Sequence, residues 1–291
     1  MLFRSTEVPE PVPQSDEVRV RVQFASVNPA DWKCRSGWML PFTQFRPSLP
    51  FVLGFDGVGT VDRLGPGVRG PAIGQRVCVR ANQMIGQSGT FAELVCVAST
   101  DIAVIPDELV GAAAATIPVA GVTAYQAVHK YAQLAGGQSV LINGGAGGVG
   151  SFAVQLASRL GARVAATCGP KNVEYLYSLG CEHVVDYRRG DVRQQVLAWE
   201  PTGVDAVIDT VNVQPLAGVE QIVRVGGKVI GIVTLAAASY QPDELAQAGI
   251  TFVEATVRRD EAAADMAVLG NFLGSGEIRP PELSMFPFEE G

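Results

Sequence analysis

The segment Ser139–Gly161, SVLINGGAGGVGSFAVQLASRLG, joins an apolar strand, a glycine turn and an amphipathic helix. Its glycines follow the spacing G-x-G-x-x-G, which lets backbone N–H groups approach a pyrophosphate at a helix N-terminus. The sequence therefore predicts a dinucleotide-binding βαβ unit, and a tight structural turn without a ligand is the alternative. The predicted cradle consists of Gly145, Ala146, Gly147, Gly148, Val149 and Gly150.

The residues after the second strand select the form of the dinucleotide. The acidic residue expected about 20 positions after the turn, which would bind a ribose 2′-hydroxyl, is missing. Thr167 is followed by Cys-Gly-Pro-Lys, so Lys171 can supply charge, while Thr167 and Gly169 can supply small donors to a 2′-phosphate. This pattern predicts NADPH as the cofactor. A solvated lysine at the start of a helix is the alternative for Lys171.

Tyr187 follows the third strand in the sequence VVDYRR. We expect it beside the adenosine end of the cofactor, with Arg188 or Arg189 near the phosphate. An ordinary surface cluster at the end of a strand is the alternative.

The pattern of predicted strands and helices changes near residue 108. Short alternating runs separated by Pro and Gly precede it and predict an antiparallel, barrel-like substrate domain over 1–108. Regularly alternating strand and helix signals follow it and predict a doubly wound parallel sheet, a Rossmann dinucleotide-binding domain, over 109–257. The predicted fold class is thus α/β with a second, barrel-like domain. The predicted strands span 17–24, 57–62, 76–79, 91–97, 139–143, 163–167, 183–186, 204–209, 228–232 and 250–257.

Composition excludes several classes of protein. The chain has 22 Lys and Arg against 29 Asp and Glu, so its net charge of −7 argues against a nucleic-acid surface. Its apolar runs fall short of a membrane span, and its start lacks the pattern of a signal peptide. The five cysteines are scattered and there are only two histidines, which excludes a cysteine-rich zinc site and suits the reducing cytoplasm.

Several motifs in the right order carry a resemblance that spans nearly the whole chain. They are VNPADWK at 27–33, LGFDGVG at 53–59, GTFAE at 89–93, VAGVTAY at 119–125, the glycine turn, and LGCEHVVDY at 179–187. With them the chain resembles medium-chain dehydrogenase/reductases of the zinc-free quinone oxidoreductase (zeta-crystallin-like) branch. The resemblance implies a GroES-like substrate domain, completed by 258–291, and an active site in the cleft beside the Rossmann domain. It also implies segments before residue 1 and after residue 291, so we expect a truncated chain.

The departures from the zinc enzymes of this superfamily bear on the chemistry. Asn28 and Phe55 stand at the positions that match the Cys and His ligands of their catalytic zinc, and 80–89 contains no cysteine for a structural zinc loop. No metal is therefore expected to polarise a carbonyl group. This favours substrates that are already electron-poor, namely quinones or alkenes conjugated to a carbonyl, with the hydride supplied by the nicotinamide.

Asn28 and Lys33 are the candidate catalytic residues. Hydride addition to a conjugated alkene builds negative charge on the carbonyl oxygen, and either side chain could donate to it. For Asn28 the alternative is a turn residue before Pro29, and for Lys33 a solvated edge residue. Some relatives carry a tyrosine at the position of Lys33 or Met39, so a tyrosine donor is not expected here. Asp31 is expected to bond local backbone.

Two threonines are further candidates for cofactor contacts. The resemblance places Thr123 near the nicotinamide, although a helix-interior Thr bonding its own backbone is the alternative. Thr234 follows the fifth parallel strand, where loops line the ligand crevice. The partners expected are a small-molecule substrate and a second copy of the chain in a homodimer, with no nucleic acid and no membrane. A non-catalytic NADPH-binding sensor or storage protein remains the alternative function.

Overall fold

The computed structural model describes residues 5–38, 50–81, 88–211, 216–232 and 240–288. The chain divides into two compact units. Unit 1 comprises Met1–Val122 and Arg259–Gly291, and unit 2 comprises Thr123–Arg258. The compact units divide after Val122 and after Arg258, whereas the predicted domains divide after residues 108 and 257.

Among the described residues, the α-helices differ in length from one turn to more than four turns. None of them is long and apolar enough to cross a membrane. Two π-helical segments, Ile117–Gly121 and Ala127–Ala132, flank the third helix. The helices are α1 (Pro29–Arg35), α2 (Gly111–Ala114), α3 (Val122–Gln126), α4 (Gly148–Arg159), α5 (Val173–Ser178), α6 (Val192–Trp199), α7 (Pro242–Gln247) and α8 (Arg259–Gly274).

Unit 1 is built on an antiparallel sheet with the strand order β4-β1-β2-β3-β5 over the residues described. Alternation along β1 buries Val18 and Val20 completely, because successive side chains of a strand point to opposite faces. Valines from β2, β3 and β4 join them in one core. The strands are β1 (Glu17–Phe24), β2 (Asp56–Leu64), β3 (Arg76–Arg80), β4 (Leu94–Ala98) and β5 (Ile102–Val104).

The last helix, α8, is part of unit 1 and packs against β5 and the turn Ser99–Asp101. Met266 and Leu269 on α8 are fully buried. At its first residue, the Arg259 guanidinium donates twice to the carboxylate of Asp101, at 2.9 and 2.5 Å. Asp101 is only 1% exposed, so this ion pair fixes the start of the helix to the sheet domain.

Unit 2 is built on a parallel sheet with the order β11-β10-β9-β6-β7-β8 in the part of the chain described. The chain first adds β7 and β8 on one side of β6, and then adds β9, β10 and β11 on the other side. This is the doubly wound arrangement, and its crevice lies where the order reverses, at the carboxyl ends of β6 and β9. The strands are β6 (Ser139–Asn143), β7 (Arg163–Cys168), β8 (His183–Asp186), β9 (Val204–Asp209), β10 (Val223–Gly231) and β11 (Thr251–Glu254).

The two sheets confirm the predicted fold class, and the central strands match best. Leu141, Val207 and Val229 have no exposed surface, because helices cover both faces of a parallel sheet. The errors lie at the edges. Strand β10 begins at Val223 rather than Lys228, β11 is shorter than predicted, and the short strand β5 was not predicted.

Candidate nucleotide and substrate sites

The glycine turn connects β6 to α4 with each glycine in a different physical role. A Cβ atom on Gly150 would lie 2.1 Å from the carbonyl oxygen of Gly144, so only glycine lets the helix pass so close to the turn. A Cβ atom on Gly145 would lie 2.7 Å from the Cβ of Ala166 on β7. At Gly147 it would meet only the Gly144 oxygen, at 3.4 Å. Gly147 is thus the exposed position at which a ligand can approach the backbone.

The N-terminus of α4 fits the pyrophosphate of a dinucleotide. Gly147 is its N-cap residue and no side chain caps the helix. The first N–H groups of a helix have no partner within it and carry the positive end of its dipole. Gly147 and Gly148 are exposed, and Ala146 and Val149 are half-buried. The structure therefore brings the predicted cradle residues together around one helix start.

A buried network of polar side chains stabilises the glycine turn. Asn143, at the end of β6, donates through Nδ2 to Asp209 Oδ1 at 2.7 Å and accepts the Thr167 hydroxyl at 2.6 Å. The Gly144 N–H donates to Thr167 Oγ1 at 2.8 Å. The Tyr240 hydroxyl donates to Asp209 Oδ2 at 2.9 Å. The network joins the carboxyl ends of β6, β7 and β9.

Thr167 is part of this network. Its side chain is buried, and its hydroxyl both donates to Asn143 and accepts from Gly144. The structure thus shows Thr167 stabilising the turn, and its contact with a 2′-phosphate stays a prediction. Sequence reasoning missed Asn143, although it ends an apolar strand of the parallel sheet.

The residues predicted at the adenosine end lie close together. A Cβ atom on Gly169 would lie 3.3 Å from the Tyr187 hydroxyl, so the end of β7 and the loop after β8 face each other there. Tyr187 is 46% exposed, and the Arg188 guanidinium lies 5.9 Å from the centre of its ring. Lys171 is exposed in the short 3₁₀ turn Pro170–Asn172, which follows Gly169.

One carboxylate does lie at this end, but the protein itself engages it. Asp186 ends β8, beside Cys168 of β7, and is 6% exposed. Its Oδ1 accepts the backbone N–H of Arg188 at 2.9 Å, and Arg189 Nε lies 3.2 Å from its Oδ2. Arg189 is therefore paired with Asp186. The other two cations predicted near the phosphate, Lys171 and Arg188, form no ion pair with Asp186 in the described residues.

The two threonine predictions stand differently. Thr123 is half-buried on α3, between the two π-helical segments. Such departures from regular α-helix occur often at functional sites, and the contact of Thr123 with the nicotinamide stays a prediction. Thr234 lies outside the described residues.

A polar cluster in unit 1 surrounds Asn28. The carboxamide Nδ2 of Asn28 donates to Asp56 Oδ2 at 2.8 Å and, more weakly, to the Ser26 carbonyl at 3.4 Å. The Ser26 hydroxyl lies 2.7 Å from the same Asp56 oxygen and 2.8 Å from the carbonyl oxygen of Ala115. Asn28 is buried, and both of its amide hydrogens have acceptors.

Asp31 holds the cluster at the start of α1. Its Oδ2 accepts the backbone N–H of Asn28 at 2.7 Å, and its Oδ1 accepts that of Phe55 at 3.1 Å. Burial raises the pKa of the Asp31 carboxyl to about 6, although these backbone donors act in the opposite direction. Its geometry agrees with the prediction that Asp31 bonds local backbone.

Asp56 is the group in this cluster that sequence reasoning missed. It has no exposed surface, and burial raises the pKa of its carboxyl to about 7. Its Oδ1 has no hydrogen-bond partner within the described residues.

Lys33 lies on α1 between two tryptophans. Its Nζ is 4.8 Å from the centre of the Trp38 ring and 5.9 Å from that of Trp32. Such contacts attract a cation to the ring face. Partial burial lowers the pKa of the Lys33 ammonium from its usual value. The alternative of a fully solvated lysine does not describe this position.

The residues around Asn28 do not fit a catalytic zinc ion. Zinc in proteins is bound by Cys, His and carboxylate side chains. The positions that match two zinc ligands hold the Asn28 carboxamide and the buried phenyl ring of Phe55. Across the described ranges, no group of three or more His, Cys, Asp or Glu is arranged to hold a metal ion.

Comparisons with known proteins match both units. A family model described as an alcohol dehydrogenase GroES-like domain matches residues 14–107, and one described as a zinc-binding dehydrogenase matches residues 148–269. The chain is 35% identical over 233 residues to the chloroplast envelope quinone oxidoreductase homolog of Arabidopsis thaliana, covering 78% of this chain and 69% of that protein.

Two further relatives extend the comparison. The 2-methylene-furan-3-one reductase of Solanum lycopersicum is 34% identical over 236 residues, which cover 79% of this chain and 58% of that protein. The solved structure of a mycobacterial protein complexed with NADPH has a TM-score of 0.83 at 26% identity, covering 98% of this chain and 88% of that one.

The chain belongs to the medium-chain dehydrogenase/reductase superfamily, in its quinone oxidoreductase branch. This confirms the resemblance drawn from the sequence motifs. The protein is an oxidoreductase that acts on a small molecule, from a family that uses a nicotinamide cofactor.

Proposed function

We propose that this protein is an NADPH-dependent, zinc-independent reductase of quinones or of alkenes conjugated to a carbonyl group. Relatives named as a quinone oxidoreductase homolog and as a reductase of a 2-methylene-furan-3-one support this substrate class. Both names describe an electron-poor π system that can accept a hydride without a metal.

The observation that carries the proposal is the arrangement at the carboxyl ends of β6, β7 and β8. Gly147 opens the start of α4 to a pyrophosphate, and β7 ends at Cys168, which Gly169 follows, without a free carboxylate. Lys171 and Tyr187 stand beside that end, where a 2′-phosphate would lie. A 2′-phosphate forms an ion pair with such a lysine, and an uncharged ribose diol cannot.

Zinc independence rests on the chemistry of the side chains. A carboxamide at Asn28 and a phenyl ring at Phe55 cannot replace a thiolate and an imidazole as zinc ligands. Without a Lewis acid, hydrogen-bond donors must stabilise the charge that develops on the substrate's carbonyl oxygen. This requirement favours substrates with delocalised electrons over simple alcohols.

The two units have different tasks in the proposed reaction. Unit 2 binds the nucleotide, which supplies the hydride when bound. Unit 1 supplies polar groups for the substrate, and we assign these to Lys33 and Asn28. Partial burial of the Lys33 ammonium makes its proton easier to give up, while its two tryptophans hold it in place. Asn28 can donate only if one of its two present acceptors releases it.

The cofactor assignment is tested by exchanging one cation. Lys171→Met removes the charge at the proposed 2′-phosphate site, and Arg159→Met is the control because it removes an exposed cation at the far end of α4. Loss of a charge-assisted hydrogen bond costs about 1.5–3 kcal/mol, or roughly ten- to a hundredfold in affinity. Titration calorimetry should show this loss for NADPH and none for NADH.

Turnover tests the activity separately. Consumption of reduced cofactor is followed by its absorbance with a panel of quinones, enones and 2-enoyl thioesters. Turnover of at least one class supports the reductase. NADPH binding without any turnover would identify a non-catalytic binding protein instead, and equal affinities for NADH and NADPH would remove the 2′-phosphate argument.

We also propose a homodimer formed through the edge of the parallel sheet. Strand β11 ends the sheet order and has a partner, β10, on one side only among the described strands. An unpaired strand edge is a template for pairing with a second chain. Light scattering coupled to gel filtration tests this, and a monomer mass at micromolar concentration would exclude the dimer.

A further inference from the structure

The hydrogen-bond distances in the polar cluster of Ser26, Asn28 and Asp56 indicate which of its oxygen atoms carry protons. Ser26 Oγ lies within hydrogen-bond distance of two acceptors, Asp56 Oδ2 at 2.7 Å and the Ala115 carbonyl oxygen at 2.8 Å. A serine hydroxyl has one proton, and a carbonyl oxygen can only accept. Both contacts are full hydrogen bonds when Asp56 Oδ2 carries a proton and donates it to Ser26, which then donates to Ala115.

The second oxygen of Asp56 agrees with this assignment. Oδ1 is buried and has no hydrogen-bond partner among the described residues. An ionised carboxylate with a bare oxygen in the interior costs far more than a neutral acid, whose carbonyl oxygen carries only a partial charge. Burial accordingly raises the pKa of Asp56 to about 7, so the carboxyl changes its charge within the range of neutral pH.

The charged and titratable groups around Asp56 come from two elements, α1 and β3. From α1, Asp31 opposes its ionisation. From β3, the Arg80 guanidinium favours it; this group is partly buried, and its Nε has no hydrogen-bond partner among the described residues. The Cys78 thiol, also on β3, has its own pKa raised mainly by burial. Neither α2 nor the segment Ile117–Gly121, which pack against β2, contains a titratable side chain. Thr90 adds a neutral donor to the Asp56 backbone carbonyl.

We propose that Asp56 is a positioning residue that controls whether the Asn28 carboxamide can donate to the substrate. With the proton on Oδ2, the acid is a weak acceptor for Asn28 Nδ2–H, and the amide can turn this hydrogen to the substrate's carbonyl oxygen. Without the proton, the carboxylate binds the same hydrogen in a charge-assisted bond and withdraws it. The proton is exchanged with water, so no further reactant is needed.

This inference rests on the proposed function, since it assigns Asn28 a part in the reduction. It goes beyond that function because it predicts that the Asn28 amide can donate to the substrate at low pH and cannot do so at high pH. Charge-assisted hydrogen bonds are about twice as strong as neutral ones. Ionised Asp56 therefore binds the Asn28 amide more strongly than neutral Asp56 does.

The first test needs neither cofactor nor substrate. The side-chain amide resonances of Asn28 are assigned in ¹⁵N-labelled protein by their absence in Asn28→Asp and are followed from about pH 5 to about pH 9, on either side of the Asp56 pKa. We expect the shifts to titrate with a midpoint at about 7. The control is Asp62→Asn, which removes a carboxylate on the same strand that is bonded to Arg19 and Arg21, and it should leave the titration unchanged.

The second test separates positioning from a merely structural role. In Asp56→Asn the amide at position 56 can donate to Ser26 as the neutral acid does, but it cannot ionise. For the wild type we expect kcat to fall about tenfold per pH unit above about 7, with the KM for NADPH unchanged. For Asp56→Asn this fall should be absent.

The outcomes are distinct. An Asn28 resonance that does not titrate in the wild type, or that titrates equally in Asp56→Asn, overturns the inference whether or not the enzyme is active. The wild-type titration decides this even if the variant does not fold. A titrating resonance without turnover of any substrate would instead overturn the proposed function and, with it, the catalytic meaning of the coupling. A titrating resonance with the two pH profiles described supports both.

Discussion

The role of Gly147 can be tested by adding a single methyl group. Gly147 has φ −79° and ψ 173°, which alanine adopts without strain, and its Cβ atom would meet only the Gly144 oxygen, at an ordinary 3.4 Å. Alanine is a poorer N-cap than glycine, but it also lowers the entropy of the unfolded chain by about 0.4–1 kcal/mol. The free energy of unfolding should therefore change by less than about 1 kcal/mol.

The same methyl group should strongly weaken cofactor binding. It occupies the surface on which the pyrophosphate must approach the first N–H groups of α4. Loss of one or two charge-assisted hydrogen bonds, at about 1.5–3 kcal/mol each, lowers NADPH affinity by roughly a factor of ten to more than a thousand. Calorimetric titration of Gly147→Ala with NADPH, alongside urea unfolding, measures both quantities.

Gly150→Ala is the matched comparison. Its Cβ atom would lie 2.1 Å from the Gly144 oxygen and 2.8 Å from the Gly145 Cα, both backbone atoms that cannot move aside cheaply. Overpacking of this kind costs about 1–3 kcal/mol or more, so this variant should lose stability first. If Gly147→Ala binds NADPH as tightly as the wild type, the pyrophosphate does not bind at this turn and the reasoning fails.

Three other perturbations address the stability of the two units. Burial raises the folded-state pKa of Asp56 to about 7, above the usual Asp value of about 3.9. The contribution of this group to stability is therefore complete below the lower value and is lost as pH rises through the higher one. Relative to Asp56→Asn, the wild type should lose about 2–3 kcal/mol between about pH 5 and about pH 8 by urea unfolding, and a constant difference would contradict the pKa shift. Arg259→Met leaves the buried carboxylate of Asp101 without its bidentate partner. This substitution should cost about 3 kcal/mol of stability, the lower end for buried pairs, because Arg259 is partly exposed. An unchanged denaturation midpoint would exclude a stabilising role for this ion pair. Tyr240→Phe removes the hydrogen bond to Asp209 and should cost about 1.5–3 kcal/mol in thermal unfolding, whereas wild-type stability would show that the bond contributes little.

The sequence predicted the parallel sheet well because its signals are local. Val140, Leu141 and Ile142 form an apolar run directly before the glycine turn, and such a run in a strand–turn–helix context has one common structural solution. The edge strands were predicted less well. Strand β11 has a neighbour on one side only among the described strands, so packing constrains its length less than that of β6.

The site was predictable where backbone conformation alone defines it. Gly145, Gly147 and Gly150 belong to the turn by their spacing, since each absent side chain allows a close approach. The bonds of Thr167 could not be predicted, because its hydroxyl contacts Asn143 and Gly144, which are distant from it in the sequence. Asp56 was not found at all, because nothing adjacent to it in the chain shows that it is buried.

The sequence by itself determined the family, the doubly wound sheet and the glycine turn before α4. These follow from the order of apolar runs and glycines, which act over a few residues. Only the tertiary structure decided what the polar side chains do. Asn28 and Asp56 are joined by a hydrogen bond across 28 positions of the chain, and burial there moves the pKa of Asp56 toward neutrality. Burial and long-range contacts arise when strands and loops pack together, so they depend on the whole fold rather than on any short segment.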